Sequence, residues 1–246
     1  MLVDTHCHLD LYRNYQEVVL SINQRGIYCL CVTTTPSAYT ETKRRIESKT
    51  IKVGLGIHPE VVSSRSHELP LLLELLPKSR YVGEIGVDGS RRFRANIEQQ
   101  KIILKTILSD SHRHGTKLFS LHSRGAAGVV IEMLKAYPSA GPFLLHWFSG
   151  SQSELRKAID IGCWFSVGPA MLTSQTGRSI AAALPKDRVL TETDGPFTEI
   201  DGRATVPSDV SIVLDFYAKL WHLHRDEVEN IIFTNFKKTL SLLPAI

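Results

Sequence analysis

The sequence predicts an α/β fold, a single (β/α)8 barrel occupying residues 1–246. Three observations lead there. Eight short apolar runs recur along the chain, separated by longer segments with helical character. Most of these runs are continuously apolar and not alternating, as expected for parallel strands buried on both faces. A chain of 246 residues is also long for one sandwich or bundle but ordinary for one α/β barrel.

In chain order the strand runs begin with "LVDTH" near 2–6, "IYCLCVT" near 27–33, "IKVGLGIH" near 51–58 and "YVGEIGV" near 81–87. They continue with "KLFSLH" near 117–122, "PFLLHWF" near 142–148, "CWFSVG" near 163–168 and "RVLTETD" near 188–194. The clearest helix between them spans 94–115. It carries Ile97, Ile102, Leu104, Ile107 and Leu108 as apolar positions, basic residues near its end, and Gly115 as its stop. The segment 151–162 opens on Ser151 with Glu154 three residues on, a capping-box pattern, and stops at Gly162. The stretch 225–243, "RDEVENIIFTNFKKTLSLL", predicts a final helix or helix pair on the outside. No linker, low-complexity tract or break in composition divides the chain, so one domain is expected.

Hydrophobic content of 43% and charged content of 22% suit a globular protein with a full core. The four cysteines, Cys7, Cys29, Cys31 and Cys163, lie in or beside apolar runs, which reads as reduced core residues in a reducing compartment. The first segment carries Asp4, His6 and His8, unlike a signal peptide. No apolar stretch is long enough to span a membrane, so a cytoplasmic enzyme or binding protein is expected. A net charge of +4 is compatible with a polyanionic substrate without requiring one.

The polar residues at the strand ends carry the chemistry. In "VDTHCHLD", His6 and His8 are two residues apart on an extended strand, so their side chains point the same way. His58 ends the third strand, Glu84 the fourth and His122 the fifth, His146 lies near the end of the sixth, and Asp194 ends the eighth. In an α/β barrel those ends converge on one mouth. Such a set of imidazoles and carboxylates points to a dinuclear metal site. Imidazole with carboxylate suits zinc, manganese or iron; carboxylate with water suits magnesium. Each residue also has a plainer alternative: a hydrogen-bonded structural histidine, an Arg80 partner for Glu84, a turn residue at Asp194. So many accidents at one edge would leave many ionisable groups buried at a cost.

The blocks "DTHCHLD", "GIHPE", "GEIGVD", "LHSRGA", "HWFSG" and "ETDGP" occur in the order and spacing of the TatD-type metal-dependent deoxyribonucleases, barrels of the amidohydrolase-like group, which this chain resembles from Asp4 to "TNF" at 234–236. The resemblance implies that His6 and His8 bind one divalent metal, that Glu84 bridges two, and that His122 and His146 hold the second. It implies that Asp194 ligates the first metal and touches the attacking water, and that His58 lies near the scissile phosphate. It further implies hydrolysis of DNA phosphodiesters from a 3′ end with a preference for single strands. By resemblance the two divalent ions are Mg²⁺, with Zn²⁺ or Mn²⁺ as alternatives.

The chain departs from the family in its mouth loops. Gly89, Ser90 and "RRFR" at 91–94 follow "GEIGVD"; Trp147 stands in "HWFSG"; "FTEIDGRATVP" follows "ETDGP" and keeps only Arg203 as a basic residue. Arg91, Arg92, Arg94 and Arg124 are candidate phosphate contacts, and Phe93 and Trp147 candidate stacking surfaces for unpaired bases. The alternatives are a solvated loop at 91–94 and a core position for Trp147. His112, His114, His222 and His224 read as surface or structural. The compact chain and divergent loops also look similar to the TatD-like member of the Qat anti-phage defence system, which would imply partner proteins from a defence operon. Two other readings stay open: a dinuclear hydrolase of another substrate such as an aminoacyl-tRNA ester, and a non-catalytic nucleic-acid-binding subunit of a complex.

Overall fold

Parallel strands buried on both faces need helices to cover them, and the chain supplies the two in alternation. The structure, a computed structural model, describes residues 1–244. The strands are β1 (Val3–Cys7), β2 (Tyr28–Val32), β3 (Ile51–Gly54), β4 (Tyr81–Gly86), β5 (Leu118–His122), β6 (Phe143–His146), β7 (Trp164–Val167) and β8 (Val189–Thr191). Between and after them run α1 (Tyr15–Arg25), α2 (Pro36–Arg45), α3 (Val62–Arg65), α4 (Leu69–Leu75), α5 (Ile97–His114), α6 (Ala127–Lys135), α7 (Gln152–Asp160), α8 (Gln175–Ala183), α9 (Ser211–Trp221) and α10 (Arg225–Ser241). A short hairpin, β9 (Glu199–Ile200) with β10 (Arg203–Ala204), follows β8. All eight expected strands are present, and the fold is the expected α/β barrel.

Parallel ladders join β1 to β3 and β4 to β8. The two arcs meet through the Leu55–Val82 bridge. On the other side, no ladder is formed between β8 and β1 among the described residues. Side chains close that seam: Thr5 Oγ1 donates to Thr191 O at 2.9 Å, Thr191 Oγ1 donates back to Val3 O, and Thr193 Oγ1 donates to the buried Asp4 carboxylate at 2.5 Å. Beyond the strand ends, Asp194 N donates to His6 O at 2.9 Å and His8 N to Gly195 O at 2.8 Å.

The barrel is plugged from below. Val3, Leu144, Trp164 and Leu190 pack with Phe236 of α10, and Leu30, Val32 and Leu118 pack with Leu243. Asn235 fixes α10 beneath the barrel by donating to the carbonyls of Lys186 and Val189. The larger core lies between the strands and the outer helices and includes Leu104, Ile107, Leu121, Phe148 and Phe165.

The capping box of α7 forms as expected. Ser151 Oγ accepts from Glu154 N, and Glu154 Oε2 accepts from Ser151 N at 2.7 Å. The helix at 97–114 ends at Gly115, but its inward stripe differs from expectation: Ile103 is buried while Ile102 is 61% exposed. Leu104, Ile107, Leu108 and Ser111 set the buried face, and Ile102 falls outside it at 3.6 residues per turn. All four cysteines are free and buried. No helix of the described residues is long and apolar enough to cross a membrane.

Candidate metal centre

Room for the site comes from small residues one layer above the plug. Ser120 on β5 leaves space for the ring of His6, whose Nδ1 lies 2.7 Å from its Oγ. Ser166 on β7 donates to Glu192 Oε2 at 2.5 Å. Gly56, beyond β3, brings its backbone against Thr33 and Glu84; a Cβ there would lie 1.9 Å from Thr33 O and 2.5 Å from Glu84 N. That close approach lets Glu84 N donate to Thr33 O at 3.0 Å and aims the Glu84 carboxylate into the mouth.

Glu84 is the centre of the constellation. Its Oε2 lies 3.1 Å from His8 Nε2 and 3.3 Å from His6 Nε2. Its Oε1 lies 2.8 Å from His122 Nδ1 and 3.0 Å from both His58 Nε2 and His146 Nε2. Asp194 Oδ1 stands on the Oε2 side, 3.6 Å from His6 Nε2 and 3.7 Å from His8 Nε2. The mouth is a pocket of ≈ 620 Å³, and Arg124, Trp147 and Phe197 are among its walls.

The donor set fits a cation. His6 Nε2 is buried with no hydrogen-bond partner, yet faces two carboxylates at 3.3 and 3.6 Å. Imidazole nitrogen and carboxylate oxygen are both electron-pair donors, and only a proton or a metal reconciles them at that spacing. Four clusters of the described residues could hold an ion, among them His6, His8 and Asp194 on one side of Glu84, Glu84 with His58 and His122 on the other, and His6 with His146 and Glu192. His58 differs from its neighbours, because its Nδ1 accepts from Glu60 N at 3.1 Å. That leaves the proton of a neutral His58 on Nε2, facing Glu84, and makes Nε2 a donor instead of a metal ligand.

Electrostatics follow from the crowding. Burial pushes the Asp194 carboxyl up to about 7, against the pull of His146 and His8. Burial also opposes charge on Glu84, but the imidazoles of His58, His146 and His6 outweigh it and hold the carboxyl well below its usual range. Asp194 and Trp147 both sit in the left-handed region, at φ 54° and 36°. Such backbone concentrates at functional sites, where surrounding contacts enforce it.

The structure thus brings His6, His8, His58, Glu84, His122, His146 and Asp194 to one mouth, with Arg124 and a half-buried Trp147 beside them. Arg91, Arg92 and Arg94 are exposed on the loop after β4, outside that pocket. Their loop packs against the Arg124 segment, where Gly89 N donates to Arg124 O at 2.8 Å. Phe93 lies under the Arg92 guanidinium at 5.0 Å. Arg203 forms a two-pronged ion pair with Asp209 at 2.7 and 2.8 Å and braces the hairpin. Arg80 turns away from Glu84 to the carbonyl of Pro244.

Three further residues support the imidazoles. Asp88 Oδ2 lies 2.7 Å from His122 Nε2, and Glu192 Oε2 lies 3.6 Å from His146 Nδ1. Trp147 N donates to Glu192 Oε1 at 3.0 Å. Burial opposes charge on Asp88, but hydrogen bonds from His122 and Ser90 prevail and hold its carboxyl down to about 2. Phe197 meets the ring of His8 edge to face at 5.0 Å. Sequence reasoning passed over all three. Glu192 is two residues before Asp194, so the pairing logic applied to His6 and His8 reaches it; Asp88 closes the block "GEIGVD".

An α/β barrel with imidazoles and carboxylates gathered at the carboxyl ends of its strands belongs to the class of barrel metal-dependent hydrolases. The fold matches the crystal structure of YJJV, a TatD homologue from Escherichia coli, with a TM-score of 0.86 over 100% of this chain and 98% of that one, at 23% identity. The family model for TatD related DNase matches residues 3–241, and the chain belongs to that family. It is a TatD-family hydrolase. Among relatives, it is 24% identical to deoxyribonuclease TATDN3 of Homo sapiens over 100% of this chain and 95% of that protein. It is 27% identical to the 3'-5' ssDNA/RNA exonuclease TatD of Klebsiella pneumoniae over 75% of this chain and 73% of that protein.

Proposed function

We propose that this chain hydrolyses DNA phosphodiester bonds with two divalent metal ions, shortening single strands from the 3′ end. The observation that carries the reading is Glu84, whose Oε2 faces His6 and His8 and whose Oε1 faces His122 and His146. A carboxylate so placed suits a bridge between two ions. The names of the human and Klebsiella relatives support the choice of a nucleic-acid phosphodiester over a carbon ester.

His6, His8 and Asp194 would hold one ion, His122 and His146 the second, with Glu84 shared. Bound ions supply Lewis acidity toward the phosphoryl oxygens and make water a better nucleophile near neutral pH. Asp194 receives the proton of the attacking water on a carboxylate oxygen, since a carboxylate touching that water is within reach of its proton. His58 lies in the pocket wall near the scissile phosphate, its tautomer fixed by the Glu60 amide and its Nε2–H directed at Glu84. Arg124, at the pocket wall, binds a non-bridging phosphate oxygen. Arg91, Arg92 and Arg94 contact phosphates further along the strand. Trp147 borders the base-binding side. Mg²⁺ is the assigned ion, with Zn²⁺ or Mn²⁺ as substitutes. The divergent mouth loops support a place beside partner proteins of an anti-phage defence operon in the cytoplasm.

The test is incubation of metal-loaded protein with end-labelled single-stranded DNA, with a His6→Ala/His8→Ala protein as control. Wild type should give a ladder shortening from the 3′ end, and the double variant should be slower by at least ~100-fold. Absence of cleavage by wild type with bound Mg²⁺, Mn²⁺ or Zn²⁺ would overturn the reading.

A further inference from the structure

Phe197 is out of place for an apolar side chain. It is 64% exposed, more than any other large apolar residue exposed on the described surface. Singly exposed apolar residues are ordinary on a protein, but this one stands in the wall of the polar mouth pocket with its ring against His8.

The loop that presents it is built, not loose. Phe197 N donates to Asp194 O at 3.0 Å, and Thr198 Oγ1 donates to Thr193 O at 2.7 Å. Thr205 N reaches back to Thr198 O at 2.9 Å, and Arg203 clamps the hairpin to Asp209. Gly195 allows the close packing beneath, since a Cβ there would lie 2.0 Å from Tyr12 Oη and 2.5 Å from Thr205 O. The backbone that carries the phenyl ring is therefore fixed before any ligand arrives, and the ring rests its edge contact on His8 with its flank open to solvent.

We propose that Phe197 is the stacking platform for an unpaired nucleobase next to the scissile phosphate, and so a specificity-determining residue of the site. The inference rests on the nuclease reading above. A phenyl ring offers no hydrogen bond; its partner must present a flat apolar face. Arg124 in the same pocket calls for an anion. A flat apolar face joined to a phosphate within one pocket describes a nucleotide. A base inside a duplex has both faces covered, so the platform selects a frayed or single-stranded end. Ordering the platform in advance removes part of the entropy cost of binding. Stacking of this kind is tolerant of sequence because every base has a π-face.

The experiment measures equilibrium binding of the metal-loaded protein to a fluorescein-labelled oligothymidylate with phosphorothioate linkages at its 3′ end. The matched strand carries abasic residues at its last two positions. Wild type should prefer the base-bearing strand by roughly 5- to 150-fold. Phe197→Ala should erase that preference, and Phe197→Tyr should retain it. Equal binding of both strands by wild type, or an undiminished preference in Phe197→Ala, would overturn the proposal. So would an equal loss on both strands in Phe197→Ala. The same strands with ordinary linkages separate the two readings. Base preference without cleavage sinks the nuclease assignment and leaves the platform standing. Cleavage without base preference sinks the platform alone.

Discussion

At Glu84 one buried carboxylate meets five imidazoles, and the second rank of side chains decides how those rings are held. His122 is gripped from both sides: Nδ1 faces Glu84 at 2.8 Å and Nε2 faces Asp88 at 2.7 Å. A carboxylate behind a ligating histidine fixes its orientation and raises its basicity. Asp88→Asn should therefore weaken metal binding by ~10–100-fold, measured by competition with a chromogenic chelator, while the fold stays intact by circular dichroism. An unchanged affinity would remove Asp88 from the site. At this scale the sequence was legible where residue type was unusual for its place: paired histidines in an apolar run, a glutamate inside "YVGEIGV", an aspartate just beyond a strand. Asp88, Glu192 and Phe197 escaped because their meaning lies in what they touch. Asp88 and His122 are 34 residues apart and Glu192 and His146 are 46 apart, so only the closed barrel brings each pair together.

Among the elements, α7 shows how a local signal acquires a long-range task. Glu154 closes the capping box with Ser151, and its other oxygen accepts from Gly128 N at 2.8 Å, tying α7 to the start of α6. Glu154→Ala removes the reciprocal half of the capping box, leaving the Ser151 and Gly128 amides without their partner, and should cost about 1–2 kcal/mol at pH 7 by urea unfolding. Hydrogen bonds from Ser151 hold the Glu154 carboxyl below its usual range. A carboxylate with a depressed folded pKa stabilises above its unfolded value of roughly 4.3 and loses that contribution as pH falls through the folded value. The difference between wild type and Glu154→Ala should accordingly narrow as pH is lowered past that point. A difference that widened would refute the assignment. Strand positions and this helix start were readable because apolar runs and capping pairs are local patterns. The inward stripe of α5 was misjudged at one position, Ile102 for Ile103, because two adjacent isoleucines are equivalent in composition and only the helix phase separates them.

For the whole molecule, the candidate ligands come from β1, β4, β5 and β6 and from the segment after β8, so an ion held there ties distant parts of the chain together. Binding to the folded form alone contributes about 2.7 kcal/mol at a hundredfold excess over Kd. For a chain of this length that is a rise of about 5–10 °C in Tm. Mn²⁺ or Zn²⁺ added to protein freed of metal by EDTA should produce this rise in scanning calorimetry, and Glu84→Gln should abolish most of it. The same shift in both proteins would mean that the ion binds elsewhere. Barrel architecture was readable from the recurrence of eight runs, whereas the way the ring is closed was not, because it depends on side chains meeting across the first and last strands. That seam has its own consequence. Thr5, Thr191, Thr193 and Asp4 stitch it without a ladder, and His6 and His8 stand on one lip with Asp194 on the other. Any breathing of the ring at this join pulls the three apart. Deuterium uptake at the Asp194 amide, which donates to His6 O across the gap, therefore doubles as a gauge of how often an ion held by these residues would be let go.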